Sequence, residues 1–320
     1  MRLARWVGAS GTVGEGFVVG DRVVPFPGGE TVATVLEGGL GPARALFDRA
    51  GRDGEALDAV RLLAPLVPAA IRDFVAFEEH VEGVTASVDG ATAVVPEWYQ
   101  APTFYFTNPH TVLGPDDVLS PPVSERLDFE LEIAVVLGGP EGRNLDHAEA
   151  ATRIFGYTVM NDWSARDLQG REMKVRLGPA KGKDFGTSLG PWIVTADELE
   201  QFVDADGFLA VRAEVSVNGT PVGEDLVSNM GWPFPELVAY ASRNSRVVAG
   251  DVLGSGTVGN GGCLAELWGR RGELSPAPLR EGDVVTMVVE GIGTLSGSVG
   301  AAVDPGPVAP ARERPRNRLR

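Results

Sequence analysis

Apolar and polar residues alternate along Leu127-Asp128-Phe129-Glu130-Leu131-Glu132-Ile133-Ala134-Val135-Val136-Leu137-Gly138, and a period of two predicts a strand. Phe129, Leu131, Ile133, Val135 and Leu137 share one face and read as core. Glu130 and Glu132 share the other, roughly 7 Å apart at Cα, and that face turns apolar at Ala134 and Val136. Short apolar runs bounded by Gly, Pro, Asn and Asp predict further strands at Ala93-Val94-Val95, Thr103 to Phe106, Phe155 to Val159, Trp192-Ile193-Val194, Leu209 to Val217, Asp251-Val252-Leu253 and Asp283 to Val289. Asn218-Gly219 marks a tight hairpin. Before them, short strands (Leu3 to Val7, Gly16 to Val19, Arg22 to Pro25) lead into helical spacing at Thr31 to Ala50 and Glu55 to Leu62. Ile71 to Val81 also reads as a helix. The expected fold class is mixed and mainly β: a small β-rich N-terminal unit (1–70), a β-rich body (71–303) and a Pro/Arg-rich disordered tail (304–320). Too few helices interrupt the strands for a doubly wound nucleotide fold, and no internal repeat is evident.

Composition narrows the function classes. The 320 residues suffice for a substantial core, and 43% hydrophobic content with near-zero mean hydropathy describes a soluble globular protein. No apolar run is long enough to span a bilayer, and no cleavable signal opens the chain. A net charge of −16 argues against nucleic acid. The single cysteine, Cys263, excludes an intrachain disulfide and a thiolate zinc cluster, fits a cytoplasmic location and reads as a small buried residue.

Two like charges on a half-buried face are costly unless a cation neutralises them. Glu130 and Glu132 therefore suggest a hard divalent cation, Mg²⁺ or Ca²⁺, although a solvated strand edge would also explain them. Asp162, in Met160-Asn161-Asp162-Trp163-Ser164-Ala165-Arg166-Asp167, falls at the end of a strand. Ser164 and Asp167 resemble a capping box that opens a helix. The loop Leu177 to Thr187 is not a phosphate loop, because Asp184 stands where the hydroxyl belongs. Lys183 could instead stabilise a developing enolate. Of three histidines, His147 reads as surface and His110 as loop. His80 lies seven residues after Asp73, so a shared helix would place both on one face about 10 Å apart.

Together these motifs resemble the fumarylacetoacetate hydrolase family over about residues 71–300. The resemblance rests on Leu127 to Glu132, Asn161 to Asp167 with Gln169, Gly182-Lys183-Asp184-Phe185-Gly186-Thr187 and Gly254-Ser255-Gly256-Thr257. It implies a β-roll catalytic body and a cation, Mg²⁺ with Ca²⁺ or Mn²⁺ as alternatives. Its ligands would be Glu130, Glu132 and Asp162, with Asp73 as a fourth. It implies His80 as base, Glu266 as the carboxylate that orients it, and Tyr105, Arg166, Gln169 and Thr257 as substrate contacts beside Lys183. A homodimer is a family-level expectation. Two departures bear on substrate. The family's carboxylate-binding arginine is missing, since no Arg or Lys lies between Arg72 and Arg126, and Val75 replaces a tyrosine. The N-terminal unit is also shorter.

The expected activity is metal-dependent hydrolysis of a C–C bond in a small dicarbonyl acid, a β-diketone or acylpyruvate type. The alternatives are a hydratase, isomerase or decarboxylase of a 2-oxo acid such as oxaloacetate on the same scaffold, and a non-catalytic binding scaffold.

Overall fold

The computed structural model describes residues 1–89 and 94–313. Among these the first strands are β1 (Arg2–Val7), β2 (Val13–Val19), β3 (Arg22–Pro25), β4 (Glu55–Ala56), β5 (Arg61–Leu63), β6 (Ile71–Phe74) and β7 (Phe104–Thr107). The middle of the chain adds β8 (Val112–Leu113), β9 (Val118–Leu119), β10 (Leu127–Asp128), β11 (Leu131–Leu137), β12 (Ile154–Asp162), β13 (Ser164–Ala165) and β14 (Thr187–Thr195). The last are β15 (Arg212–Val217), β16 (Thr220–Leu226), β17 (Val252–Gly254), β18 (Val284–Val289) and β19 (Gly293–Val299). The α-helices are α1 (Val32–Gly38), α2 (Leu40–Asp48), α3 (Glu78–Asp89), α4 (His147–Ala151), α5 (Arg166–Met173), α6 (Ala196–Leu199), α7 (Phe234–Ser242) and α8 (Leu264–Arg271). None is long and apolar enough to cross a membrane.

The protein is mainly β, as the alternation implies. A twelve-stranded sheet runs β4-β3-β2-β1-β14-β12-β11-β17-β6-β7, with β5 on β1 and β8 on β14. A five-stranded sheet runs β16-β15-β18-β19-β9. The β15–β16 hairpin turns at Asn218 and Gly219, both at positive φ (51° and 75°), as a tight turn of that kind requires.

Strands β11 and β12 are buried along their whole length, and the period of two sorts their side chains into two cores. Leu131, Ile133, Val135 and Leu137 pack with Val215, Met287 and Leu295 of the second sheet and with Phe234 and Trp268 of α7 and α8. Ala134 and Val136 pack with Leu3, Phe17, Leu36 and Ile193. The N-terminal strands thus extend the central sheet through β1 on β14, and α1 and α2 cover its second face.

Several local expectations are overturned. Ile71–Phe74 is strand, paired parallel to β17 and antiparallel to β7, and α3 begins only at Glu78. The apolar spacing looked helical, yet Ile71, Arg72, Asp73 and Phe74 are all buried, as in an interior strand. Asp73 and His80 therefore do not share a helix. Glu55–Leu62 is also no α-helix: it pairs β4 with β3 and β5 with β1 around a single 3₁₀ turn at Leu57–Ala59, so sheet pairing wins over propensity. Thr31–Ala50 forms two helices, broken at Gly39 with φ of 78°. Ser164 and Asp167 form no capping box; Asp167 instead accepts from Ser124 Oγ and the Glu125 amide. The expected strand at Ala93-Val94-Val95 begins outside the described residues, and Val94 and Val95 are irregular. Residues 304–313 are exposed and without regular structure; 314–320 of the expected tail lie outside the described residues.

Candidate metal and catalytic site

One end of the central strands gathers the acidic residues. β6 brings Asp73, which faces Gly254 of β17 in parallel register. Glu130 immediately precedes β11, Glu132 lies within it, and Asp162 ends β12. Asp73, Glu130 and Glu132 each offer a carboxylate oxygen within 4.8 Å of the others. A Cβ on residue 254 would stand 2.6 Å from Glu132 Oε2 and 3.0 Å from Asp73 Oδ1, so glycine leaves the cradle open.

Cations and donors close one side. Lys183 Nζ is 2.6 Å from Asp162 Oδ2 and also contacts Glu130 Oε2. Tyr105 donates its hydroxyl to Asp162 Oδ2. Arg166 Nη1 lies 2.8 Å from Glu130 Oε1 and donates to Gln169 Oε1 at 3.1 Å. Burial pulls the Glu130 carboxyl up, but Lys183 and Arg166 outweigh it and hold Glu130 well below the usual range. Burial raises Asp73 and Glu132 well above theirs, reinforced by Asp162 at Asp73 and by Asp73 and Glu130 at Glu132. Burial also raises Asp162, against the pull of Lys183. Burial disfavours the Lys183 ammonium, yet Asp162 and Glu130 outweigh it and keep Lys183 protonated.

Asp73 Oδ1, Glu132 Oε1 and Asp162 Oδ1 are buried without any hydrogen-bond partner among the described residues. Unpartnered buried acceptors are costly, and a set of converging carboxylate oxygens suits a hard divalent cation. The residues present therefore fit the cation that the sequence suggested.

His80 faces this cluster from α3, with Nε2 3.9 Å from Glu130 Oε1. Burial lowers its pKa to about 4, so the imidazole is neutral at neutral pH. Its Nδ1 lies 3.7 Å from Cys263 Sγ. Glu266 makes no hydrogen bond to it, in contrast to the expected orienting role. Glu266 Oε1 instead meets Arg270 Nη2 at 2.8 Å and accepts from the Gly261 amide, while Oε2 is buried with no hydrogen-bond partner among the described residues. The helical i,i+4 geometry of Glu266 and Arg270 favours that pairing. Burial raises the Glu266 pKa to about 7. The structure thus brings together Asp73, His80, Tyr105, Glu130, Glu132, Asp162, Arg166 and Lys183, with Gln169 one contact behind Arg166. Thr257 is buried in the loop after β17 and makes no hydrogen bond to the carboxylates. His110 and His147 are exposed, and His147 pairs with Glu236 at 2.8 Å.

Sequence reasoning quoted Gly254 and Asp128 within motifs but gave neither a role, and it did not place Cys263 beside His80. Asp128 was the legible one, two residues before Glu130 in the alternating run.

Residues 69–300 match the family profile described as fumarylacetoacetate (FAA) hydrolase, C-terminal. A fumarylacetoacetase from Arabidopsis thaliana is 33% identical over 279 residues, covering 71% of this chain and 66% of that protein. An oxaloacetate tautomerase from Bacillus subtilis is 32% identical over 213 residues, covering 66% of this chain and 64% of that protein. The match thus spans just under two thirds of these relatives' lengths. Among solved structures, a fumarylacetoacetate hydrolase from Exiguobacterium antarcticum superposes with TM-score 0.70 at 25% identity, covering 94% of this chain and 99% of that one. A 5-carboxymethyl-2-hydroxymuconate delta-isomerase from Mycobacterium smegmatis does so with TM-score 0.67 at 27% identity, covering 94% and 100%.

Proposed function

Because the chain belongs to the fumarylacetoacetate hydrolase family, we propose that it is a metal-dependent hydrolase cleaving a C–C bond in a β-diketone or acylpyruvate-type acid. The observation that carries this reading is the trio of unpartnered buried oxygens on Asp73, Glu132 and Asp162, beside Lys183 and a neutral His80. Asp73, Glu130, Glu132 and Asp162 would hold the cation, Mg²⁺ or a similar ion. When bound, such an ion supplies Lewis-acid polarisation of the dicarbonyl oxygens. His80, neutral and buried, takes a proton from the water that attacks the distal carbonyl. Lys183, held protonated, donates to the oxygen that gains charge as the C–C bond breaks and the electron pair moves into an enolate. Arg166, steadied by Gln169, and Tyr105 orient the acid.

One observation favours a second reading. Glu266 is turned to Arg270, so the His80 Nδ1 side meets Cys263 Sγ instead of an orienting carboxylate. Tautomerisation, isomerisation or decarboxylation of a 2-oxo acid needs enolate stabilisation but no water-activating base, and relatives named for a tautomerase and an isomerase are among those matched.

The test incubates purified protein with Mg²⁺ or Mn²⁺ against acylpyruvates, fumarylpyruvate and oxaloacetate, following C–C cleavage and enol–keto exchange separately. His80→Ala should lower hydrolytic kcat by about 10²–10⁴-fold with metal affinity nearly unchanged. Hydrolysis that survives this substitution, or that ignores chelators, sinks the proposal. Oxaloacetate turnover without any cleavage of the diketo acids selects the second reading.

A further inference from the structure

Asp128 is fully buried, and its carboxylate is the junction of two chains of contacts. Its Oδ1 accepts from the amides of Phe129 and Leu264, both at 2.8 Å. Its Oδ2 accepts from the Ala265 amide at 3.0 Å and from Arg166 Nε at 2.8 Å, with Arg166 Nη2 also at 2.8 Å. The first chain runs through Arg166, whose Nη1 goes on to Glu130 Oε1 at 2.8 Å. The second runs through the start of α8. Leu264 and Ala265 are the first two residues of that helix, and a negative charge is favoured where its free amides point. The third amide, of Glu266, goes to Cys263 Sγ at 3.4 Å, the sulfur that sits beside His80.

An ordinary helix cap would need only the second chain. Here one of the same oxygens, Oδ2, also takes a guanidinium whose side chain is only 8% exposed. The geometry demands a carboxylate. Asparagine would place an NH₂ against the donors of Arg166 and Ala265 or, flipped, against the amides of Phe129 and Leu264, and either way would lose the charge-assisted pairing.

We propose that Asp128 is a positioning residue. It holds Arg166 against Glu130 and, through the N-terminus of α8, fixes the carboxylate cluster relative to Cys263 and His80. Its kinetic consequence rests on the activity proposed above; its structural consequence does not.

The test follows the Arg166 Nε–H resonance of the full-length protein by ¹H–¹⁵N NMR, identified by its loss in Arg166→Gln. In the wild type this proton should exchange with solvent as slowly as the amides of Leu264 and Ala265, because one carboxylate holds all three. Rapid exchange at Nε beside protected amides would reduce Asp128 to a helix cap and overturn the proposal, even if no Asp128 variant folds. In Asp128→Asn the Nε–H should lose its protection, and kcat should fall roughly 10²-fold while KM changes far less. The double variant with Arg166→Gln should lose less than the product of the two single losses, since the route through Arg166 is common to both. Multiplying losses, or a protected Nε–H in Asp128→Asn, refute it. If the wild type turns over none of the substrates, the activity reading fails and the two exchange measurements decide this proposal alone.

Discussion

Lys183 is a buried ammonium wedged between Glu130 and Asp162, so both carboxylates depend on it for charge balance. Removing one partner from such a group leaves charge stranded where water cannot reach it. Lys183→Met should cost about 3–5 kcal/mol in chelator, measured by urea unfolding, and added Mg²⁺ should return part of that loss. An equal loss with and without metal would show that the carboxylates do not share a cation site. Glu266 offers a pH signature away from these acids. Its folded pKa of about 7 lies above the ordinary 4.5, so the folded chain keeps a proton that the unfolded chain gives up. The stabilisation is complete below about pH 4.5 and is lost as pH rises through about 7, a change of up to about 3 kcal/mol. Glu266→Gln should remove that part of the slope, so its stability relative to wild type should rise between pH 5 and pH 8. A constant difference across that range would refute the assignment.

Strand β17 shows how an element can hold a site open by having no side chain. Gly254 lies opposite Asp73 on one neighbour and Ala134 on the other, facing Glu132 and Met160. Gly254→Ala should weaken Mn²⁺ binding by more than tenfold in calorimetry, at a stability cost of about 1–3 kcal/mol from overpacking. Unchanged affinity would mean that the cradle is not the cation's. The sequence revealed elements where the pattern was local. The alternation through Glu130 and Glu132 marked β11, the strand before Asp162 ended where expected, and Asn218-Gly219 turned the hairpin. It misled where pairing is remote. Ile71, Phe74 and Phe77 have helix-like spacing, and the partners Val252–Gly254 and Phe104–Thr107, farther along the chain, make the first two of them strand. Likewise, nothing near His80 announces Cys263, and nothing near Arg166 announces its bond to Asp128.

At the scale of the molecule, the apolar second face of β11 and β12 is covered by residues from the first fifty. Ala134, Val136 and Phe155 lie against Leu3, Phe17 and Leu36. A chain begun at residue 71 would bare that face, and it should express as aggregate or show no cooperative melt. The full chain should unfold in one transition by far-UV circular dichroism and by tryptophan fluorescence. A soluble, cooperatively melting 71–303 fragment would show that the shared core is dispensable. The register of Asp73 with Gly254 also has a meaning in time. A ribosome that has made Asp73 needs roughly ten to forty more seconds, at about 5–20 residues per second, to deliver its neighbour strand. Until then β6 has no β17 to lie against, so the nascent chain cannot gather Asp73 with Glu130 and Glu132 before most of the protein has emerged.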